Sequence, residues 1–424
     1  MSVVDQPGFK QTEIGRMPTD WSAEKVATLA DIDSESLSNK TPTDFSFRYV
    51  SLGDVSGGQL IGSQDQITLA EAPSRARRIV KSGDVLFATV RPNLKGHFFA
   101  RHVVGDIVAS TGFAVIRAKQ GVADPAFVYQ SLLSGYVDAQ IEKLTAGSNY
   151  PAVNSADVKG ILLPTPPLRE QQKIAEILTT VDDKLDVIAR QIEATQTLKQ
   201  GLMQTLFSFG TSAQAAEDWP TVELHTVAQV RTGVAKGKKG LKDPVELPYL
   251  RVANVQAGHI DLSEVKTIEV EASQVERYAL HVGDVLMTEG GDFDKLGRGD
   301  VWLGQIAPCL HQNHVFAVRP DPSKLNPHYL AEFASSEQGR RYFLGCAKRT
   351  TNLASINSSQ LKAFPIPLPH LKQQAVITAV AASVNAKIKL LEAKRREQEK
   401  LKRGLMQKLL TGEWRVKVDT EMAA

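Results

Sequence analysis

An internal repeat constrains this chain more than any other feature. Trp21 returns as Trp219, and Tyr49 to Leu60 (YVSLGDVSGGQL) returns as Tyr249 to Ile260 (YLRVANVQAGHI). Gly83-Asp84-Val85-Leu86 returns as Gly283-Asp284-Val285-Leu286, and Asn154 returns as Asn357. Leu168, Gln171 and Ile174 return as Leu371, Gln374 and Ile377; Gly201-Leu202-Met203-Gln204 returns as Gly404-Leu405-Met406-Gln407. The offset drifts only from 198 to 203, which small loop insertions explain. Chance supplies one such match, not six in the same order. Solenoid and propeller units repeat every ~20–50 residues, so a period this long makes each copy a domain with an appendage.

Each copy reads in two parts. The first is a mixture of short strands and short helices. Strand-like runs fall at Arg78 to Val90, Ile107 to Arg117, Val282 to Thr288 and Asn313 to Arg319. They are rich in β-branched residues and bounded by Gly, Pro and Asp. Asp124-Pro125 and Asn326-Pro327 each place a capping side chain before a proline at the first helical position. The reading is an α+β domain.

The second part is one long helix. Pro164 to Pro167 and Pro365 to Pro369 stop what precedes it. Leu168 to Phe207 then holds no proline and one glycine, and so does Leu371 to Leu410. Apolar residues at a 3–4 spacing predict a coiled-coil seam. In the first helix these are Ile174, Leu178, Val181, Leu185, Ile188, Ile192, Leu198, Leu202 and Leu206. In the second they are Ile377, Val380, Val384, Ile388, Leu391, Leu401, Leu405 and Leu409. Acidic residues (Glu176, Asp182, Asp183, Asp186, Glu193) crowd the early part of the first helix. Basic residues (Lys387, Lys394, Arg395, Arg396, Lys400, Lys402, Arg403, Lys408) crowd the later part of the second. Antiparallel pairing sets one against the other. The expected fold is thus two similar α/β-mixed domains separated by two long antiparallel coiled-coil helices. Its boundaries are 1–165 for the first domain, 166–213 for the first helix, 214–368 for the second domain, and 369–424 for the second helix and tail.

Several function classes fall away. No uninterrupted apolar run reaches the ~18 residues of a membrane span, and the first 20 residues lack a signal core, so no membrane association is expected. Cys309 and Cys346 fit a reducing cytoplasm, and without a CxxC or a histidine cluster no metal is expected. Asn326-Pro327-His328-Tyr329 has the look of an adenine methyltransferase element, but Asp124-Pro125-Ala126-Phe127 stands at the same place, so a helix start explains both. Gly233 to Gly240 lacks the Gly-Lys-Ser/Thr ending of a P-loop. Asp292, Asp294 and Lys295 have no carboxylate counterpart beside Asn93 and Lys95, which weakens a nuclease reading. No catalytic residue and no cofactor are expected.

The copies agree in scaffold and differ in three polar stretches. These are 34–42 against 233–242, 88–102 against 288–302, and 145–154 against 348–357. Arg, Lys, Asn and Ser in such segments suit phosphates and base edges. Candidate DNA contacts are Arg75, Arg77, Arg78, Arg91, Asn93, Lys95, Ser148, Asn149 and Tyr150 in the first domain. In the second they are Lys236, Lys238, Lys239, Arg298, Lys348, Arg349 and Asn352. A net charge of only +3 allows this if the charge is local.

The layout, with Pro164-Thr165-Pro166-Pro167-Leu168-Arg169-Glu170-Gln171-Gln172 and the weaker Pro369-His370-Leu371-Lys372-Gln373-Gln374, resembles the specificity subunit of type I restriction-modification systems. The second copy departs from the family pattern in having Gln373 where Glu is usual. The resemblance covers essentially the whole chain. It implies a non-catalytic subunit in which each domain reads one half of a bipartite, asymmetric site in double-stranded DNA. It also implies that the helices hold the readers apart and dock two methyltransferase subunits, which bind S-adenosylmethionine and methylate adenine, with restriction subunits joining that core. The rival readings are a standalone tandem DNA-binding regulator and a coiled-coil adaptor.

Overall fold

The computed structural model describes residues 8–61, 65–146, 150–208, 219–237, 240–291, 293–349 and 354–417. The chain forms two compact units. One comprises Met1–Ala189 with Lys394–Ala424, the other Arg190–Ala393. Both cuts fall inside the long helices, so each unit holds one mixed domain and a part of each helix.

In the first unit a four-stranded antiparallel sheet runs in the order Ala30–Ile32, Phe113–Ala118, Asp84–Ala88, Phe98–Ala100. A second sheet runs Gln66–Thr68, Ser46–Val50, Ile107–Ser110, Ala76–Val80, its central pair parallel. The second unit repeats this order. Ala228–Thr232, Val315–Pro320, Val285–Thr288 and Gly299–Val301 form the first sheet. Lys266–Glu271, Pro244–Leu250 and Leu310–His311 form the second, again with the last two parallel, and an isolated bridge from Ala279 to Leu310 stands where the first unit has its fourth strand. The repeat seen in the sequence is therefore a repeat of topology.

Two expected strands are each two. Arg78 to Val90 breaks into Ala76–Val80 and Asp84–Ala88 because Gly83 turns the chain with φ +88°, as Gly283 does with φ +93°. Ile107 to Arg117 breaks at Thr111-Gly112 into two strands belonging to different sheets.

Shared residues have shared structural duties. Asp124 accepts a hydrogen bond from Phe127 N at 2.9 Å, and Asn326 accepts one from His328 N at 2.8 Å, capping helices Pro125–Leu132 and Pro327–Ser335. Asn154 and Asn357 cap the short helices Ser155–Gly160 and Ser358–Lys362 with reciprocal capping boxes. Gln171 and Gln374 are buried. Gln171 Oε1 accepts from Asp124 N at 3.0 Å, and Gln374 Oε1 accepts from Asn326 N at 2.7 Å. Each glutamine Nε2 donates to the proline-rich turn before its helix, to Pro166 O at 2.9 Å and to Pro369 O at 2.8 Å. One side chain thus fixes the long helix to the capped end of its domain's helix.

The long helices are Leu168–Ser208 and Leu371–Leu409. In the first unit the start of one meets the end of the other: Ile174, Ala175 and Leu178 share a buried cluster with Leu409 and Leu410, together with Trp21 and Phe127. In the second unit Met203 and Phe207 share a buried cluster with Ile377 and Ala381. Both units are antiparallel in this respect.

The expected seam is corrected in detail. Ile174, Leu178, Val181, Ile377, Leu391 and Leu409 are buried. Leu185, Ile188, Ile192, Leu202, Leu206, Val380, Val384, Ile388 and Leu405 are half-buried. Leu198 and Leu401 point outward, 56% and 47% exposed, while Met203 and Phe207 take the interior. Leu198 and Leu401 differ from the spacing because each helix packs on a domain as well as on the other helix. By length and composition the second long helix contains an 18-residue window apolar enough to cross a membrane. Polar residues punctuate that window, so no uninterrupted apolar run marks it in the sequence. The same helix buries Ile377, Ala381 and Leu391 within its unit.

Candidate nucleic-acid interface

In both domains the strand carrying the shared Gly-Asp-Val-Leu ends at the divergent segments. The aspartate itself is scaffold. Arg117 donates from Nε and a terminal nitrogen to Asp84 at 2.8 and 2.7 Å, and Arg319 does the same to Asp284 at 2.7 and 2.8 Å. Bidentate pairs of this kind fix geometry as well as charge.

Immediately beyond, two divergent segments are drawn together. Val153 N donates to Thr89 O at 2.9 Å, and Ile356 N donates to Glu289 O at 2.8 Å. A third loop joins in the same way, with Thr89 N bonded to Gly112 O at 2.9 Å and Glu289 N to His314 O at 3.0 Å. In the first domain Arg91 N also donates to Pro151 O at 2.7 Å, and the Arg91 guanidinium lies 5.7 Å from the Tyr150 ring centroid. Tyr150 is 75% exposed. Beside it a cleft of about 480 Å³ is lined by Asn93, Lys95, Asp138 and Pro151 among others. In the second domain Gly290–Gly291 pairs with Ala354–Ser355, which pairs with Lys348–Arg349. A side chain at Gly290 would meet Ala354 O at 2.6 Å, so glycine is what allows these strands to approach.

The other candidates divide by environment. Lys95 is tied down: its Nζ donates to Leu133 O at 2.9 Å and pairs with Asp138 at 2.8 Å. Arg78 pairs with Asp33 at 3.0 Å. Arg77 donates to Ser74 O at 3.1 Å, whereas Arg75 is exposed and its carbonyl accepts from Thr111 N at 2.8 Å. The segment 34–42 meets these arginines rather than Arg91: Leu37 N donates to Arg77 O at 2.8 Å. In the second domain Lys236 is exposed with Nζ 5.8 Å from the Tyr249 ring, Lys348 is exposed, and Arg298 is half-buried with its Nε enclosed and unpaired. Ser148, Asn149, Lys238, Lys239, Asn352 and the Arg349 side chain lie outside the described residues.

Glu289 and His314 escaped the sequence reading. Their side chains are hydrogen-bonded to each other, His314 Nδ1 to Glu289 Oε2, at the position where the first domain has Thr89 and Gly112. The signal was available, since Glu289 follows the shared Gly-Asp-Val-Leu at the same distance as Thr89. A carboxylate can accept from cytosine N4, so a reading loop need not carry positive charge.

Among the described residues no group of three or more His, Cys, Asp or Glu is placed to hold a metal ion. His97 and His311 are both buried, and burial pulls them down to about 3 and about 4. His97 Nδ1 accepts from Ala88 N at 3.0 Å and its ring stacks on Phe87; His311 Nδ1 bonds Val315 O at 2.6 Å. Both are core residues. Burial likewise pushes the Cys309 thiol up to about 12.

The family model of the type I restriction modification DNA specificity domain matches residues 24–196 and again 216–400. The chain belongs to the type I restriction-modification specificity subunits. It is the DNA specificity component of such a system and a non-catalytic one. Among curated relatives, the EcoKI specificity subunit of Escherichia coli K12 is 28% identical over 254 residues, 56% of this chain and 53% of that protein. The putative MjaX specificity subunit of Methanocaldococcus jannaschii is 23% identical over 97% of this chain and 98% of its own length. Among solved structures, the type I S subunit from M. genitalium superposes with a TM-score of 0.55 at 14% identity, over 92% of this chain and 96% of that one. A chain from a structural study of type I complex assembly and conformational transition gives 0.57 at 24% identity, over 94% and 99%. At these identities the two superpositions speak for the fold.

Proposed function

We propose that residues 1–165 and 214–368 each read one half of a bipartite, asymmetric site in double-stranded DNA. Residues 166–213 and 369–424 set the half-site spacing and dock two methyltransferase subunits, to which restriction subunits are added, in the cytoplasm. The observation that carries this reading is the pairing of divergent segments by equivalent bonds, Val153 N to Thr89 O and Ile356 N to Glu289 O. A common frame presents different side chains at the same place, as two readers of different sequences require. Docking is supported by apolar side chains left outside the buried clusters: Val187, Leu198, Leu371, Val376, Leu390 and Leu401 are each more than a third exposed along the long helices. The test is to map methylated adenines in a host genome with and without this gene. The expected result is loss of one bipartite motif; an unchanged methylome overturns the reading.

A further inference from the structure

Where each domain helix meets the long helices, a lysine, a carboxylate and an amide come together, and the two units build this triad from the same three chain positions. In the first unit Gln130 Nε2 donates to Asp182 Oδ2 at 2.6 Å, and Lys402 Nζ lies 2.7 Å from Asp182 Oδ1. In the second unit Asn385 Nδ2 donates to Glu332 Oε1 at 2.9 Å, and Lys199 Nζ lies 2.9 Å from Glu332 Oε2. The repeat relates the positions. Gln130 and Glu332 each stand six residues after the helix caps Asp124 and Asn326. Asp182 and Asn385 each stand fourteen residues after Leu168 and Leu371, and Lys199 and Lys402 each stand thirty-one after them.

The lysine is the same in both triads, while the carboxylate and the amide have changed places. In the first unit the domain brings the amide and the long helix the carboxylate. In the second the domain brings the carboxylate and the long helix the amide. The groups are well enclosed: side-chain exposure is 17% for Lys402 and 16% for Asp182, 23% for Lys199 and 14% for Glu332. An ammonium enclosed to this degree needs one carboxylate beside it; with none it is uncompensated, and with two the carboxylates repel.

We propose that this triad is a matching key that seats each recognition domain on the long helix of its own repeat. Gln130 fits a long helix carrying Asp182, and Glu332 fits one carrying Asn385. Setting the second domain on the first long helix would place Glu332 against Asp182 with one lysine between them. The reverse graft would set Gln130 against Asn385 and leave the lysine without a carboxylate. Because the lysine comes from the other repeat and is the same in both, the key is indifferent to which two long helices pair. It discriminates only which domain sits on which helix. Exchange of a recognition domain therefore keeps its seating only when the partner position on the following long helix travels with it.

The test is a double-variant cycle in the full chain, read by thermal unfolding and by hydrogen exchange in the two units. Gln130→Glu and Asp182→Asn are each expected to lower the melting temperature by about 5 °C or more, with faster exchange at the Pro125–Leu132 helix. Together they recreate the arrangement of the second unit, and melting and exchange are expected to return close to the parent. Glu332→Gln with Asn385→Asp is expected to rescue in the same way. A double variant no better than its worse single overturns the key. The biological consequence rests on the DNA-reading function proposed above, so half-site binding by the assembled complex is measured in parallel. Rescue in unfolding without any half-site effect from the single variants supports the key and counts against the domain as a DNA reader.

Discussion

Arg117 grips both oxygens of the fully buried Asp84, and Arg319 does the same to Asp284 at the corresponding place in the other domain. The neighbouring strand supplies the arginine and the tight turn before the aspartate supplies a backbone donor, Lys81 N at 2.8 Å in one and His281 N at 2.8 Å in the other. Asp84→Ala leaves the partly exposed Arg117 guanidinium with Glu35 as its remaining carboxylate. Losing charge-assisted hydrogen bonds at such a site costs about 1.5–3 kcal/mol. Chemical denaturation of the full chain should show a loss of that size for the first unit, with the second nearly unchanged. A loss below ~1 kcal/mol would remove this pair from the scaffold.

Acid should loosen both domains through their buried histidines. His97 and His311 are neutral in the fold because burial opposes their charge, while in the unfolded chain they protonate near their ordinary value of ~6.5. The unfolded state then binds more protons, so stability is full above about pH 6.5. It falls as pH drops, down to about 4 for His311 and about 3 for His97. His97→Gln retains an acceptor for Ala88 N and removes the titration. The slope of stability against pH between 4 and 6 should shrink by up to ~1.4 kcal/mol per pH unit relative to the parent. An unchanged slope contradicts the assignment.

Side chains on the paired divergent segments, and on the third loop that joins them, should affect one half-site each. Arg91→Ala or Tyr150→Ala should weaken one half-site, and Glu289→Gln, His314→Ala or Lys348→Ala the other. A contact to a base edge should cost about 1–3 kcal/mol at one position, whereas a phosphate contact should weaken all sequences alike and lower the salt dependence. Arg78→Ala should act through stability, since Asp33 already holds that guanidinium. Binding titrations of the assembled complex on variant duplexes check this, and relaxation of both half-sites by one substitution contradicts the assignment.

A chain ending near residue 210 should self-associate. It keeps the first domain and long helix but loses Leu409 and Leu410, which cover Ile174 and Leu178. Each buried Leu or Ile contributes roughly 1.5–3 kcal/mol. Leu206 and Phe207 of a second copy stand at the repeat positions of Leu409 and Leu410, and Lys199 stands at that of Lys402. The resulting two-fold dimer should read a palindrome of the first half-site, and should weaken at low salt because the first helix lacks the basic section of the second. Ultracentrifugation decides; a folded monomer at high micromolar concentration defeats the prediction.

Residues with local or repeated duties were legible in the sequence. The repeat, the caps at Asp124 and Asn326, the long helices and their antiparallel sense follow from short-range rules: capping, 3–4 spacing and charge sorting act between neighbours or along a whole helix. Which helix residues face inward was legible only in part. Leu198 and Leu401 fit the spacing yet point outward, while Lys199 and Lys402 are drawn in, because Glu332 and Asp182 wait there. The acidic section is likewise shared out by the domain: Asp182 meets Lys402, but Asp183 pairs with Arg101 and Asp186 with Gln59. The same holds at the candidate interface, where the divergent segments were visible as text but their meeting depends on bonds between residues sixty or more apart. Sequence by itself determined the elements and their duplication, because those are set by interactions along the chain. Tertiary structure alone decided which charges are spent on the scaffold and which face outward, because that depends on groups that only folding brings within a few ångströms.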